Sequence, residues 1–411
     1  MLKTYFKLSL STRILIWMVF GSVLGIIFGE KVLFLKPVGE IFLQLLIMAA
    51  IPLVFFNLLS GLSSIGSLKS FGKIGAKIFI YYSATTALAI AVGIVVMQIS
   101  KAGEGMTLTG KVPVQLGQMP VLSTLLMDMV PSNIFASFAE GNLVQIVVFA
   151  VILGIAVLGL PEDKKAWFQN GFDRFAELMR VFIELILKAS PLGLGALMAA
   201  TFAEYGSGIA GALVVFIGTV YLGLAIMVGF YLLVVIWVGK IKPGWFLTKT
   251  APLYATTMAT CSSLASLAVS MDIAEKDLKL PKKIFSFTLP LGAQFNKDGT
   301  AVTLGCVIIF AAQAVGVQFS FMHIAQIVIV GLIISQGSAG VPGGGFVISM
   351  LFAEAFHLPL EIVAVVGGIY RLIDMGNTTI NCMGDMVATT VISKLEKTWT
   401  PGYTFESSSN T

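Results

Sequence analysis

The 411-residue chain reads as an all-α membrane protein, and three observations carry that expectation. Hydrophobic residues make up 57% of it and charged residues only 11%, against roughly 25% charged in a typical soluble domain. With a mean hydropathy of +0.94, its apolar residues fall in runs of about 20 or more, the length that crosses a bilayer. After residue 245 these runs shorten and are broken by Ser, Gly, Pro and Asn. So few charges cannot cover the surface of a soluble globule of 43.8 kDa. A soluble enzyme, a disordered chain and a nucleic-acid binder are excluded. The net charge of +5 arises from short Lys/Arg clusters between apolar runs, not from a basic stripe. Cys261, Cys306 and Cys382 have no paired spacing, so neither a disulfide framework nor a zinc site follows.

The first run, Ile14 to Gly29, follows the basic segment MLKTYFKLSLSTR. A signal peptide has the same charge pattern, but more membrane follows at once, so the run reads as a retained span. Further runs lie near 38–65, 75–99, 141–160, 176–202 and 209–239, six spans in all. Lys3, Lys7 and Arg13 precede the first; Lys69, Lys73 and Lys77, then Lys164, Lys165 and Arg174, then Lys240, Lys242 and Lys249 cluster in alternate loops. The loops at 30–37 and 100–117 also hold some lysines, while the turn at 203–208 carries only Glu204. The positive-inside bias predicts a cytoplasmic N-terminus in an inner, plasma membrane. Trp245, Tyr254 and Trp399 read as interface anchors.

The last third is different. TCSSLASLAVS (260–270), FTLPLGAQFNKDGTAV (287–302), SQGSAGVPGGGF (335–346) and RLIDMGNTTINCMGDMVATT (371–390) are apolar pieces interrupted by polar and small residues. Irregular backbone survives at membrane depth only where protein buries it or a cavity borders it. The pattern predicts re-entrant hairpins and broken helices arranged as a repeat. Small residues also serve plain helix packing, but four such pieces with charges among them exceed that need.

On a helix stepped at 100° per residue from Asp374, Thr378 falls at about +40°, Asn381 at about −20° and Asp385 at about +20°. Arg371 and Asn377 flank them at about ±60°, and Ile373, Ile380, Val387 and Val391 lie opposite. Intramembrane charges mark ion or substrate paths. An Arg371–Asp374 packing bridge is the plain alternative, but it leaves Asn381 and Asp385 unexplained. Their oxygens suit a hard cation such as sodium, or a proton. Upstream, Asn296-Lys297-Asp298-Gly299-Thr300 predicts an unwound helix whose freed carbonyls and side-chain oxygens converge on an ion.

These segments, SFTLPLGAQFNKDGTA (286–301), SQGSAGVPGGG (335–345) and DMGNTTINCMGD (374–385), resemble the dicarboxylate/amino acid:cation symporter family, the glutamate/aspartate and neutral amino acid transporter homologues. The resemblance covers nearly the whole chain and is strongest over 252–396. It implies eight transmembrane helices and two re-entrant helical hairpins with inverted repeats, working as an elevator-type transporter in a trimer. Residues 1–73 and 101–206 would be scaffold; 74–100 and 207–396 would form the transport domain, and 397–411 a polar tail. By motif position, Ser263, Val341 and Gly345 would contact substrate, Asp374 its α-ammonium, and Thr378 and Asn381 its carboxylate end. Gly292, Asn296, Asn381 and Asp385 would hold one cation. Asp298 with Tyr82, Thr85 and Thr86 would hold another, and Ser335, Gln336 and Ser338 would offer carbonyls to a third. No cofactor beyond the coupling ion is implied, and the partners are a small-molecule amino acid or dicarboxylate and membrane lipid.

Three departures from the family pattern bear on function. Cys261-Ser262-Ser263-Leu264-Ala265 thins the family's serine run, and Arg371 stands in for the arginine that some members carry at the Cys261 position. Asn377 occupies the place of an arginine that pairs with an acidic side chain. Leaving a substrate carboxylate without such a bidentate partner costs several kcal/mol in a dry pocket, so a neutral polar amino acid is the favoured substrate. Arg371 reaching into the pocket would instead restore an acidic amino acid or C4-dicarboxylate. Lys297 replaces the usual methionine. Set against Asp298, Asp374 and Asp385, Lys297 and Arg371 leave a formal charge of −1, where methionine would leave −2. Lys297 therefore reads as a tethered cation that lowers the sodium count or leaves protons as the coupling species. Snorkelling to the surface, direct pairing with Asp385 and proton carriage are the alternatives. A channel and an intramembrane enzyme are rival classes. The first wants a continuous pore; the second wants a nucleophile–base pair, and His323 and His357 lie away from every motif.

Overall fold

A computed structural model of the chain describes residues 8, 10–63, 68–104, 127, 129–206, 208–336, 343–356, 358–397 and 399. Among them lie helices α1 (Leu10–Phe28), α2 (Lys36–Ser63), α3 (Leu68–Ser100), α4 (Ile134–Glu140), α5 (Leu143–Leu158), α6 (Glu162–Leu187), α7 (Ser190–Tyr205) and α8 (Gly208–Trp237). Then come α9 (Pro243–Thr260), α10 (Ser263–Asp272), α11 (Lys282–Phe295), α12 (Asp298–Ala314), α13 (Phe321–Gln336), α14 (Gly344–Ala355) and α15 (Leu360–Leu395). By length and composition, Thr12–Ser63, Gly75–Ser100, Ile209–Trp237 and Lys282–Ala314 are apolar enough to cross a membrane.

Several sequence boundaries move. The run 176–202 is not one straight helix: α6 and α7 meet at a 54° bend, as in a broken span or a re-entrant turn. Pro191, in the first turn of α7, explains the break, since it has no N–H to give to the carbonyl four residues back. The basic segment at 161–175 is helix rather than loop, starting after Pro161 with Glu162 and Asp163 in the first turn, where the helix dipole favours acids. The run 141–160 becomes the 16-residue α5, about 24 Å long against a hydrocarbon core of about 30 Å. Trp399 is not an interface anchor; it is 9% exposed and its Nε1 donates to the Leu278 carbonyl at 3.0 Å. His357 and the tail after Pro401 lie outside the described residues.

Packing sorts the helices into two sets. In one, α1 lies along α7, and α2 packs on α5, α6 and α7. In the other, α12 sits between α3 and α15, which are joined by α8, α9, α11 and α14. Glycines permit the closest approach. A Cβ on Gly93 of α3 would lie 2.1 Å from the Val302 carbonyl oxygen, and one on Gly305 of α12 would lie 2.4 Å from that of Ile90. The sets meet where α7 touches α15, α14 touches α2 and α13 touches α5.

Candidate functional site

The polar centre forms where the path from α11 to α12 breaks. Asn296 is extended (φ −81°, ψ 113°) and Lys297 is non-helical, so the last α11 carbonyls and the first α12 amides lose their helical partners. The Asn296 amide nitrogen Nδ2 donates to the Asn381 carbonyl and to Asp385 Oδ1, each at 2.9 Å. That fixes the amide's orientation and leaves Asn296 Oδ1 buried without a partner. Gly292 faces the same spot: a Cβ there would lie 2.3 Å from Asp385 Oδ1 and 2.5 Å from the Tyr82 hydroxyl. Asp298, fully buried, accepts from the Thr86 hydroxyl at 2.7 Å and from the Tyr231 hydroxyl. Tyr82 donates to the Thr288 carbonyl at 3.3 Å, and Thr85 to that of Tyr82 at 3.2 Å. The expected oxygen donors are therefore neighbours. Tyr231 was not anticipated; it is one of two tyrosines, with Tyr221, in the apolar run of α8, and nothing in the sequence sets it apart.

Lys297 neither snorkels nor pairs with Asp385. It is 1% exposed, its Nζ donates to the Ala293 carbonyl at 2.6 Å, and no ion pair of the described residues includes it. The ammonium thus rests on the carbonyl end of α11, where a helix favours positive charge.

The second focus is the N-terminal half of α15. Asp374 Oδ2 accepts the Gly343 N–H at 2.9 Å, across a turn whose φ of +78° favours glycine. Arg371 Nη2 reaches the Ala259 carbonyl at 3.4 Å, while its Nε is buried without a partner. The described residues contain no Arg371–Asp374 ion pair, so the packing bridge is not formed. Both side chains line a cavity of about 460 Å³ between the helix sets. Ala259, Gly343, Phe346, Gly367 and Tyr370 share their wall; Phe42, Leu46, Glu184, Leu187, Lys188 and Leu194 stand opposite.

Other expected contacts are placed elsewhere. Asn377 is fully buried and faces α12, accepting from the Thr303 hydroxyl at 2.9 Å and donating to that of Tyr370 at 3.3 Å. It is not among the residues that line this cavity. Asn381 Oδ1 accepts the Gly299 N–H at 2.8 Å. Ser263, just past the left-handed turn at Cys261 (φ 50°), is 3% exposed and Thr378 is 4% exposed; neither borders the cavity. A Cβ on Gly345 would lie 2.0 Å from the Tyr370 hydroxyl, so this glycine serves close packing of α14 on α15. Ser335 donates to the Leu332 carbonyl at 3.0 Å, and Gln336 Oε1 is buried without a partner. Ser338 and Val341 lie outside the described residues. Gly343, Glu184 and Lys188 were not singled out in the sequence. The first stands two residues before the glycine that was chosen, and the other two lie within the run 176–202, read as an apolar span.

A family model described as "Sodium:dicarboxylate symporter family" matches residues 10–395. The chain is 30% identical over 398 residues to a proton/glutamate-aspartate symporter of Bacillus subtilis, covering 95% of this chain and 96% of the relative. It is 32% identical to a proton/sodium-glutamate symport protein of Geobacillus stearothermophilus, covering 95% of each. It is 31% identical to a C4-dicarboxylate transport protein of Edwardsiella ictaluri, covering 94% of this chain and 92% of the relative.

Proposed function

The chain belongs to the sodium:dicarboxylate symporter family, and from that premise we propose that it carries an acidic amino acid or C4-dicarboxylate, with an acidic amino acid preferred. The family consists of symporters, not enzymes, and the chain is an integral membrane protein of several apolar helices. The observation that carries the substrate reading is Arg371 on the cavity wall beside Asp374, while Asn377 turns away into α12. The neutral expectation rested on Asn377 reading the substrate side chain. With Arg371 in that role, a side-chain carboxylate regains a charge-assisted, fork-shaped partner. Asp374 then answers an α-ammonium, which a plain dicarboxylate lacks. Relatives named for glutamate/aspartate and for C4-dicarboxylates support the same class. Counterflow uptake into proteoliposomes tests it: aspartate, glutamate and then succinate compete strongly, and serine and glutamine do not. Strong competition by serine with none by aspartate overturns the reading.

Coupling uses sodium, protons or both, as relatives are named for both. Asp385, Asn296, Gly292 and Asn381 hold one cation, with the unpartnered Asn296 oxygen as the ligand in waiting. Asp298, Tyr82, Thr85 and Thr86 hold a second, and the Ser335–Ser338 carbonyls a third. Lys297 acts as the tethered cation that lowers the ion count. α1, α2 and α4–α7 are the scaffold of an elevator and the remaining helices its moving part. That part carries two re-entrant hairpins, within a trimer of eight-span protomers whose N-termini face the cytoplasm.

A further inference from the structure

We propose that Lys188 and Glu184 are a fixed half of the substrate site, with Lys188 binding the second carboxylate of an acidic substrate when it is first captured. The inference rests on the acidic-substrate reading and extends it to residues outside the motifs. Four charged side chains line this cavity, two from each wall: Arg371 and Asp374 on α15, Glu184 and Lys188 at the end of α6. The remaining lining is mostly apolar, and Asp374 is buried while Glu184 and Lys188 stand exposed at the mouth, where an incoming anion meets them first. Glu184 and Lys188 stand at i and i+4, the order that favours an intrahelical pair. Yet neither takes part in an ion pair of the described residues. Leu187, beside Lys188, lies against Gly343, whose N–H holds Asp374, so the end of α6 abuts the substrate carboxylate-and-ammonium region directly.

The charge count then matches one ligand class. Two cations, Arg371 and Lys188, answer two carboxylates, and Asp374 answers one ammonium. Glu184 is the partner to which Lys188 returns once the substrate leaves with the moving wall. Lys188 thereby separates diacids from monoacids during loading, without travelling with the cargo.

The test compares wild type, Lys188→Met, Lys188→Arg and Glu184→Gln in proteoliposomes. Wild-type aspartate uptake is measured first, and its absence would overturn the acidic reading rather than the role of Lys188. Given that uptake, Lys188→Met raises the KM for aspartate about tenfold with the maximal rate within twofold, and Lys188→Arg restores it. Glu184→Gln lowers the maximal rate by slowing release and leaves the KM equal or lower. Thermal unfolding in detergent checks that each variant is folded. An unchanged KM in folded Lys188→Met, or a loss confined to the maximal rate, overturns the proposal.

Discussion

Gly292 leaves room for hydrogen only, because its backbone lies against the Asp385 carboxylate and the Tyr82 hydroxyl. Gly292→Ala would force both oxygens aside, an overpacking cost of about 1–3 kcal/mol. The expected outcome is loss of sodium- or proton-dependent thermal stabilisation, with a modest fall in the unfolding temperature without ions. Asp374 has one oxygen on the Gly343 N–H and borders the cavity. Asp374→Asn keeps the shape but removes the counter-charge for an ammonium, so aspartate affinity should fall at least about a hundredfold, the scale of a broken buried pair. Succinate, having no ammonium, should lose far less; equal losses for both would place Asp374 outside ammonium recognition. For Lys297, the readout is the sodium dependence of binding. Replacement by Met should steepen it by about one ion, and an unaltered slope would remove the lysine from the ion count.

The helices explain how such charges are held. α15 is polar on one side, yet it is buried around most of its girth, with Ile373, Val387 and Ala388 as hidden as Asp385. Several of its polar atoms are satisfied by neighbouring helices: Thr288 meets Thr389 at 2.8 Å, and Thr257 meets Thr379 at 2.9 Å. The contact of α3 with α12 depends on paired glycines. Gly93→Ala should therefore lower stability by about 1–3 kcal/mol, seen as a lower melting temperature in detergent, while the sodium slope of the surviving protein stays unchanged. Legibility followed the same division. The break after Asn296 was legible because Asn, Asp and Gly inside an apolar run have few other uses. The bend between α6 and α7 was missed because hydropathy averages over Pro191, and only backbone geometry registers it.

The two helix sets share a limited boundary, with the cavity between them. At one crossing, a Cβ on Gly368 of α15 would lie 2.1 Å from the Met198 sulfur of α7. A Met198→Cys/Gly368→Cys pair, in a chain stripped of its native cysteines, fits this approach once the methionine is gone. Mercury cross-linking should abolish net uptake while leaving substrate binding measurable, and excess dithiol, which strips the mercury, should restore transport. Full uptake by the cross-linked protein would show that the sets do not slide past each other there.

Composition and hydropathy were enough to establish an all-α membrane protein, because a chain this poor in charge has no other way to hide its apolar surface. The motif segments likewise marked Asp298, Asp374 and Asp385 as candidate site residues, since isolated carboxylates inside apolar runs are costly to keep. Where each side chain points was settled by packing between distant segments. Asn377 and Arg371 are six residues apart on one helix, and helical position alone put both at the edge of the same face. Thr303 and Tyr370 draw the first inward, while Ala259 and the cavity receive the second. The opposing charges, Glu184 and Lys188, come from a helix nearly two hundred residues earlier in the chain, and their place beside the site exists only once the two sets have packed.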